Sequence, residues 1–150
     1  MEEVNNFSCA FDVAPKAKPR PKHRSVSKRV GSKVIKMTSS YYPGDYMEWQ
    51  ESFSRKLIEA WGRREKLTGP VMVSIQFTFQ VPASLSKKER DERLSRKYHF
   101  QKPDRDNLDK AVLDAMTKAG IWADDCQVCS GLTMKVWGES PSIGICVTPL

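Results

Sequence analysis

The sequence predicts an α+β domain: a mixed β-sheet of about five strands, with two or three helices packed mainly on one face. Three observations carry this. In residues 71–81, Val71, Val73, Ile75, Phe77, Phe79 and Val81 alternate with Met72, Ser74, Gln76, Thr78 and Gln80, the period of a strand with one buried face. In residues 46–61, Tyr46, Trp49, Phe53, Leu57, Ala60 and Trp61 recur at steps of three and four, the stripe of an amphipathic helix of about four turns. The chain has 150 residues, 39% of them hydrophobic and 29% charged, which suits one domain spanning 1–150 with a modest core.

The other elements follow in chain order. Phe7, Cys9, Phe11 and Val13 alternate with smaller or polar residues and predict a half-buried strand. Pro15, Pro19 and Pro21 then interrupt a basic block, so residues 16–36, the basic loop, are expected to be extended or looped with their lysines and arginines reaching outward, and a short strand starts at Val34-Ile35. Pro43-Gly44-Asp45 reads as a turn with Asp45 as helix cap. Gly69-Pro70 opens the central strand and Pro82 stops it. Ser86 followed three residues later by Glu89 is a capping-box pattern, and residues 86–97 form a charged insertion, read as a solvated helix or mobile segment. Leu108, Ala111, Val112, Ala115, Met116 and Ala119 mark a further helix, which Gly120 ends. Leu132, Met134 and Val136, then Ile143, Ile145 and Val147, predict a closing hairpin. Trp61, Leu113 and Trp137 are read as apolar surface left over for a subunit contact.

Composition narrows the function. No apolar run approaches the roughly 18–20 residues that span a bilayer, and Met1-Glu2-Glu3 lacks the basic start of a secretory signal. The expectation is a soluble cytoplasmic protein without a membrane partner. Net charge is +7, yet residues 16–36 hold nine Lys/Arg and no acid, leaving the rest at −2. A near-neutral domain with one basic segment points to a polyanionic partner, most often nucleic acid. The candidate DNA contacts are Lys16, Lys18, Arg20, Lys22, Arg24, Lys28, Arg29 and, beside the motif described next, Lys102. The four cysteines, Cys9, Cys126, Cys129 and Cys146, include one C-x-x-C pair without a second close-spaced pair. They are read as reduced, mostly buried thiols rather than a zinc site.

The chemistry concentrates in residues 99–125. Pro103 disfavours helix at Lys102, and Asp104 or Asp106 is placed to cap a helix starting near Asn107. At about 100° per residue, Asp106 and Lys110 fall on the face opposite the apolar stripe, one turn apart. Asp124 and Asp125 follow the helix after a short connection. If one of them returns to the same end, three carboxylates offer a hard oxygen site for Mg²⁺ or Mn²⁺. Such an ion polarises a phosphodiester and activates water, and Lys110 would stabilise the developing charge. The bland alternatives are an N-cap pair, Asp106 with Asp109, and a surface ion pair, Asp106 with Lys110. His99 is read as a plain loop residue, with a phosphate contact as its functional alternative.

Pro103-Asp104-Arg105-Asp106-Asn107-Leu108-Asp109-Lys110, a helix, then Trp122-Ala123-Asp124-Asp125-Cys126-Gln127-Val128, resembles the signature of the RusA-type Holliday-junction resolvases. The resemblance is dense over about 27 residues, and Lys18-Pro19-Arg20-Pro21 extends it loosely. Cys126, Cys129 and the charged 86–97 segment depart from the pattern. The resemblance implies a bacterial or phage-encoded homodimeric endonuclease. It would resolve four-way branched DNA by paired symmetric nicks, with Mg²⁺ as cofactor, Mn²⁺ as substitute and no organic cofactor. It further implies that Asp104, Asp106 and Asp125 are catalytic metal ligands and that Lys110 is the essential lysine. Two rivals remain: a non-catalytic junction- or DNA-binding protein, and a restriction-like nuclease, which lacks its later Asp/Glu-x-Lys element here.

Overall fold

A computed structural model of the chain describes residues 6–150; the reading of Met1-Glu2-Glu3 lies outside the described residues. In order, the elements are β1 (Phe7–Phe11), β2 (Lys22–Val30), β3 (Lys33–Tyr41), α1 (Gly44–Trp61), β4 (Val71–Gln80), α2 (Lys87–Arg96), α3 (Arg105–Lys118), a 3₁₀ turn (Asp125–Gln127), β5 (Val128–Ser130), β6 (Thr133–Gly138) and β7 (Ser142–Pro149). The α+β expectation holds. Five strands form one mixed sheet in which β1, β7 and β4 are antiparallel neighbours, while β5 and β6 both run parallel to β4 on its other edge.

The core lies between one face of this sheet and α1 with α3. Phe53 and Leu57 of α1 meet Leu108, Val112, Ala115 and Met116 of α3 over Val73, Ile75, Phe77, Ile143 and Ile145, all buried. Each large apolar side chain removed from water in this way contributes about 1.5–3 kcal/mol. Ser54 sits inside because its hydroxyl donates to the Ala115 carbonyl, 3.2 Å away on the facing helix. A buried hydroxyl without such a partner is costly.

Four expectations are corrected here. The basic segment is a loop only over residues 16–21: residues 22–41 form a separate antiparallel hairpin, β2 with β3, with Gly31 at φ 62° in its turn. The prolines end before Lys22, and the strands satisfy each other's backbone groups without help from the domain. All of residues 22–41 except Ser39 are exposed. Helix α1 starts at Gly44 with Pro43 in the cap position, so Asp45 belongs to its first turn and pairs with Lys16 at 2.8 Å instead of capping.

Next, β6 and β7 are not a hairpin. They flank β4 on opposite sides, and β6 runs parallel to β4 in the register Phe77↔Lys135 and Phe79↔Trp137. Leu132 is consequently 75% exposed, while Trp137 is buried. Last, Trp61 and Trp137 are not spare surface: Trp61 packs edge-on against Phe7 at 5.1 Å, and Leu113 packs partly buried against the core.

Residues 87–96 form a helix rather than a mobile segment, with the capping box made between Ser86 and Glu89. All four cysteines are free, but Cys126 and Cys129 are exposed and Cys9 and Cys146 only half-buried, so they are not mostly buried. Among the described residues no helix is long and apolar enough to cross a membrane.

Candidate active site

The site is built on the first turn of α3. Residues 101–103 bend through a cis Lys102–Pro103 peptide, Asp104 is extended (φ −70°, ψ 144°), and the helix starts at Arg105, two residues earlier than the spacing suggests. Asp104 occupies the cap position, yet its carboxylate makes no capping hydrogen bond. Asp106 lies in the first turn and pairs with Lys110 one turn on, Nζ to Oδ2 3.9 Å. Both partners are more than half exposed, so the pair contributes only about 0.3–0.5 kcal/mol. Two carboxylates thus stand in the positive field of a helix N-terminus, Asp104 without a capping bond and Asp106 held only by its weak surface pair with Lys110. Asp109 is not part of the cap: it points to β6, where the Thr133 hydroxyl donates to it at 2.7 Å. Burial there raises its pKa above the ordinary carboxylate value.

Asp124 and Asp125 are separated in role by the 3₁₀ turn. Asp124 caps it, accepting the Cys126 N–H at 3.0 Å, and this backbone donor holds its carboxyl below the usual range. The Asp125 carboxyl is pushed up instead, by burial and then by the neighbouring Asp124, with Asp114 adding to the repulsion and Lys18 opposing it. Gln127 holds the turn in place. Its amide oxygen accepts from the backbone N–H groups of Ala123 (3.0 Å) and Asp124 (3.3 Å), and its amide nitrogen donates to the carbonyls of Leu67 and Gly69, both at 3.0 Å. Every polar capacity of this side chain is used. Trp122, fully buried, donates to the Thr117 hydroxyl at 2.7 Å and ties the connection to the end of α3.

The predicted basic residues divide. Lys18 lies against α3: its backbone N–H donates to the Asn107 carbonyl at 2.9 Å and its ammonium pairs with Asp114 at 2.6 Å. Arg20 and Lys102 are exposed, and Lys22, Arg24, Lys28 and Arg29 stand on the hairpin.

Sequence reasoning misses Lys135, because no acid precedes it at the spacing of a nuclease motif. It lies on the core face of edge strand β6, opposite Phe77. Its ammonium donates to the carbonyls of Gln101 (2.5 Å) and Pro103 (2.6 Å), fastening the segment that leads into Asp104. Burial lowers its pKa, against the pull of Asp104. No local pattern marks this lysine; the signal is its register on β4. His99 is a loop residue, as expected, but a buried one. Its ring is stacked at 4.0 Å on Phe79 and tilted at 4.3 Å against Trp137, and burial lowers its pKa.

Among the described residues no three His, Cys, Asp or Glu side chains are grouped closely enough to hold a metal ion. Asp104 and Asp106 share the start of α3, whereas Asp125 lies within the electrostatic reach of Asp114 and Lys18. The donor chemistry fits a hard cation nonetheless. Asp104 and Asp106 are not engaged as caps, and burial together with the neighbouring Asp124 disfavours the charged form of Asp125. Mg²⁺ is commonly held by one or two carboxylates, with water and substrate phosphate completing its octahedron.

A family model described as Endodeoxyribonuclease RusA matches residues 12–148. The crossover junction endodeoxyribonucleases RusA of Escherichia coli (strain K12) and Shigella sonnei (strain Ss046) are each 54% identical to this chain over 33 residues, 22% of this chain and 28% of the relative. The match therefore spans little more than a quarter of these curated relatives.

Proposed function

This chain belongs to the RusA endodeoxyribonuclease family, and on that premise we propose that it is a Mg²⁺-dependent endonuclease that resolves four-way DNA junctions by paired, symmetric nicks. The observation that carries the reading is the pair of carboxylates, Asp104 and Asp106, neither used as a helix cap, at a helix start one turn from Lys110. A protein that only binds DNA gains nothing from clustered carboxylates near phosphates.

A divalent cation would be held by Asp104, Asp106 and Asp125, and when bound it supplies Lewis-acid polarisation of the scissile phosphate and a water of lowered pKa. Lys110 presents its ammonium to the phosphate oxygens as charge develops. The α3 dipole favours the same anionic region. Gln127 holds the turn that carries Asp125, and Lys135 holds the loop that carries Asp104. Mn²⁺ has the same preference for oxygen ligands and substitutes for Mg²⁺. Incubation of an end-labelled junction with and without Mg²⁺ tests the reading: symmetric nicks only with the metal support it. A junction bound but uncut in Mg²⁺ or Mn²⁺ returns the chain to the class of junction binders.

The hairpin governs affinity in this reading. Strands of nine residues at about 3.3 Å per residue make a ribbon roughly 30 Å long, and DNA grooves accept such a ribbon. Replacing Arg20, Lys22 and Arg24 together by alanine weakens junction binding and lowers the log–log salt slope by about 0.9 for each phosphate no longer neutralised. Filter binding across a salt series checks this, and an unchanged slope removes the segment from the interface.

A homodimer supplies two sites related by the near two-fold symmetry of the junction. Leu132 and Met134 on the outer sheet face, and Val26, Ile35 and Met37 on the hairpin, are exposed apolar surface that a second copy has reason to cover. Sedimentation equilibrium without DNA is expected to give about twice the 17.1 kDa chain mass at micromolar concentration; a species at the chain mass excludes the pre-formed dimer.

A further inference from the structure

We propose that Phe100, backed by Arg96, is a stacking platform for an unpaired nucleobase at the branch of the DNA and so a specificity-determining residue; the proposal rests on the junction-cleaving reading above. Phe100 is 72% exposed and Tyr98 54% exposed, an unusual outlay of aromatic surface four and six residues before Asp104. The Arg96 guanidinium lies 4.4 Å from the centre of the Phe100 ring, and the Lys97 ammonium 5.4 Å from that of Tyr98. Residues 93–102 carry Arg93, Arg96, Lys97 and Lys102 and no carboxylate; the acids of α2, Glu89, Asp91 and Glu92, all precede them.

The segment is held firmly. Tyr98 bridges Val136, the Trp137 N–H donates to the Lys97 carbonyl at 2.7 Å, and the His99 N–H donates to the Lys135 carbonyl at 3.0 Å. His99 is buried on one side of Phe100, and Lys135 grips the Gln101 carbonyl on the other. The backbone is therefore anchored on both sides of a ring that remains outside the core.

An exposed ring on an anchored backbone, with the Arg96 guanidinium over one face, suits a nucleobase on the other. Every base has a π-face, stacking is independent of sequence, and the cations draw the phosphates on either side. Within a duplex, base faces are covered by their neighbours. Only an unstacked base, at a branch point or flap, can lie on Phe100. The platform thus selects branched DNA with an exposed base next to the phosphate that reaches Asp104 and Asp106.

The test uses the full chain without divalent metal. Fluorescence anisotropy compares a junction carrying two unpaired thymines at the branch with the fully paired junction. The wild type is expected to prefer the former about tenfold. Phe100→Ala should erase that preference with duplex affinity unchanged within about twofold, and Phe100→Trp should restore it. Irradiation with 5-iodouracil at the branch should cross-link to Phe100, as mapped by mass spectrometry. Retention of the preference in Phe100→Ala, or a cross-link that maps only elsewhere, overturns the platform. So does a Phe100→Ala variant that sediments as a monomer where the wild type is a dimer, because the ring is then a subunit contact. A chain that binds the branch through Phe100 yet cuts nothing in Mg²⁺ refutes the cleavage reading alone. A chain that cuts junctions while Phe100→Ala keeps the preference refutes the platform alone.

Discussion

Asp106→Asn is expected to lower junction nicking by about 10²–10³-fold in Mg²⁺ while junction affinity, measured without divalent metal, stays level or rises. The substitution keeps the shape of the side chain and removes one anionic oxygen donor, so the loss falls on charge stabilisation at the phosphate. Binding does not suffer, because a carboxylate that repels phosphate has gone. Stability is no confounder. Asp106 is 69% exposed and its ion-pair partner, Lys110, is 3.9 Å away, a surface pair contributing about 0.3–0.5 kcal/mol. In a 150-residue domain that shifts the melting temperature by about 2 °C at most. Single-turnover nicking of a labelled junction, with a thermal melt of the same preparation, measures both. A variant that cuts at the wild-type rate would remove Asp106 from the metal site and leave it a surface partner of Lys110.

The second large effect separates two adjacent residues. Asp125→Asn should cost about 10²-fold in nicking, whereas Asp124→Asn should leave most of the activity. Asp124 is occupied in accepting the Cys126 N–H. Asparagine caps about as well as aspartate, so the turn persists and Asp125 stays where it was. The Asp125 carboxyl lies amid the repulsion of Asp124 and Asp114, the kind of site that a divalent cation relieves. Asp124→Ala is the informative companion. It removes the cap, at a cost of about 1 kcal/mol, and should reduce activity through a loosened turn, with higher Mg²⁺ restoring part of it. Single-turnover nicking across a Mg²⁺ series compares the three variants. The reverse order, with Asp124→Asn inactive and Asp125→Asn active, would transfer the ligand role to Asp124.

Legibility in the sequence followed the distance over which each feature is encoded. The apolar steps of Leu108, Ala111, Val112, Ala115 and Met116 place α3 correctly, since all five are buried. They also place Asp106 and Lys110 together on its outer face. The alternation along β4 identifies the buried side of the central strand. Ser86 with Glu89 identifies the start of α2. These are interactions within a turn or a pleat, and a few consecutive residues specify them.

What escaped local reading depends on partners far along the chain. Leu132, Met134 and Val136 look like the buried side of a hairpin strand. Because β6 pairs with β4 instead of β7, Lys135 and Trp137 share the core-facing side with Phe77 and Phe79. That register gives Lys135 its grip on the loop before Asp104 and buries His99 between Phe79 and Trp137. The hairpin at residues 22–41 escaped because its strands are exposed on both faces and carry no apolar alternation, pairing with each other and not with the core. Asp124 and Asp125 are indistinguishable as neighbouring letters, and only the turn clamped by Gln127 to the carbonyls of Leu67 and Gly69 assigns Asp124 rather than Asp125 to capping. The kinds of element, their apolar faces and the identity of the chemical groups are written in short-range periodicity, where the energetics are local. Strand order, facing side and the division of labour among the carboxylates come from hydrogen bonds and packing between residues dozens of positions apart, and those exist only once the chain has folded.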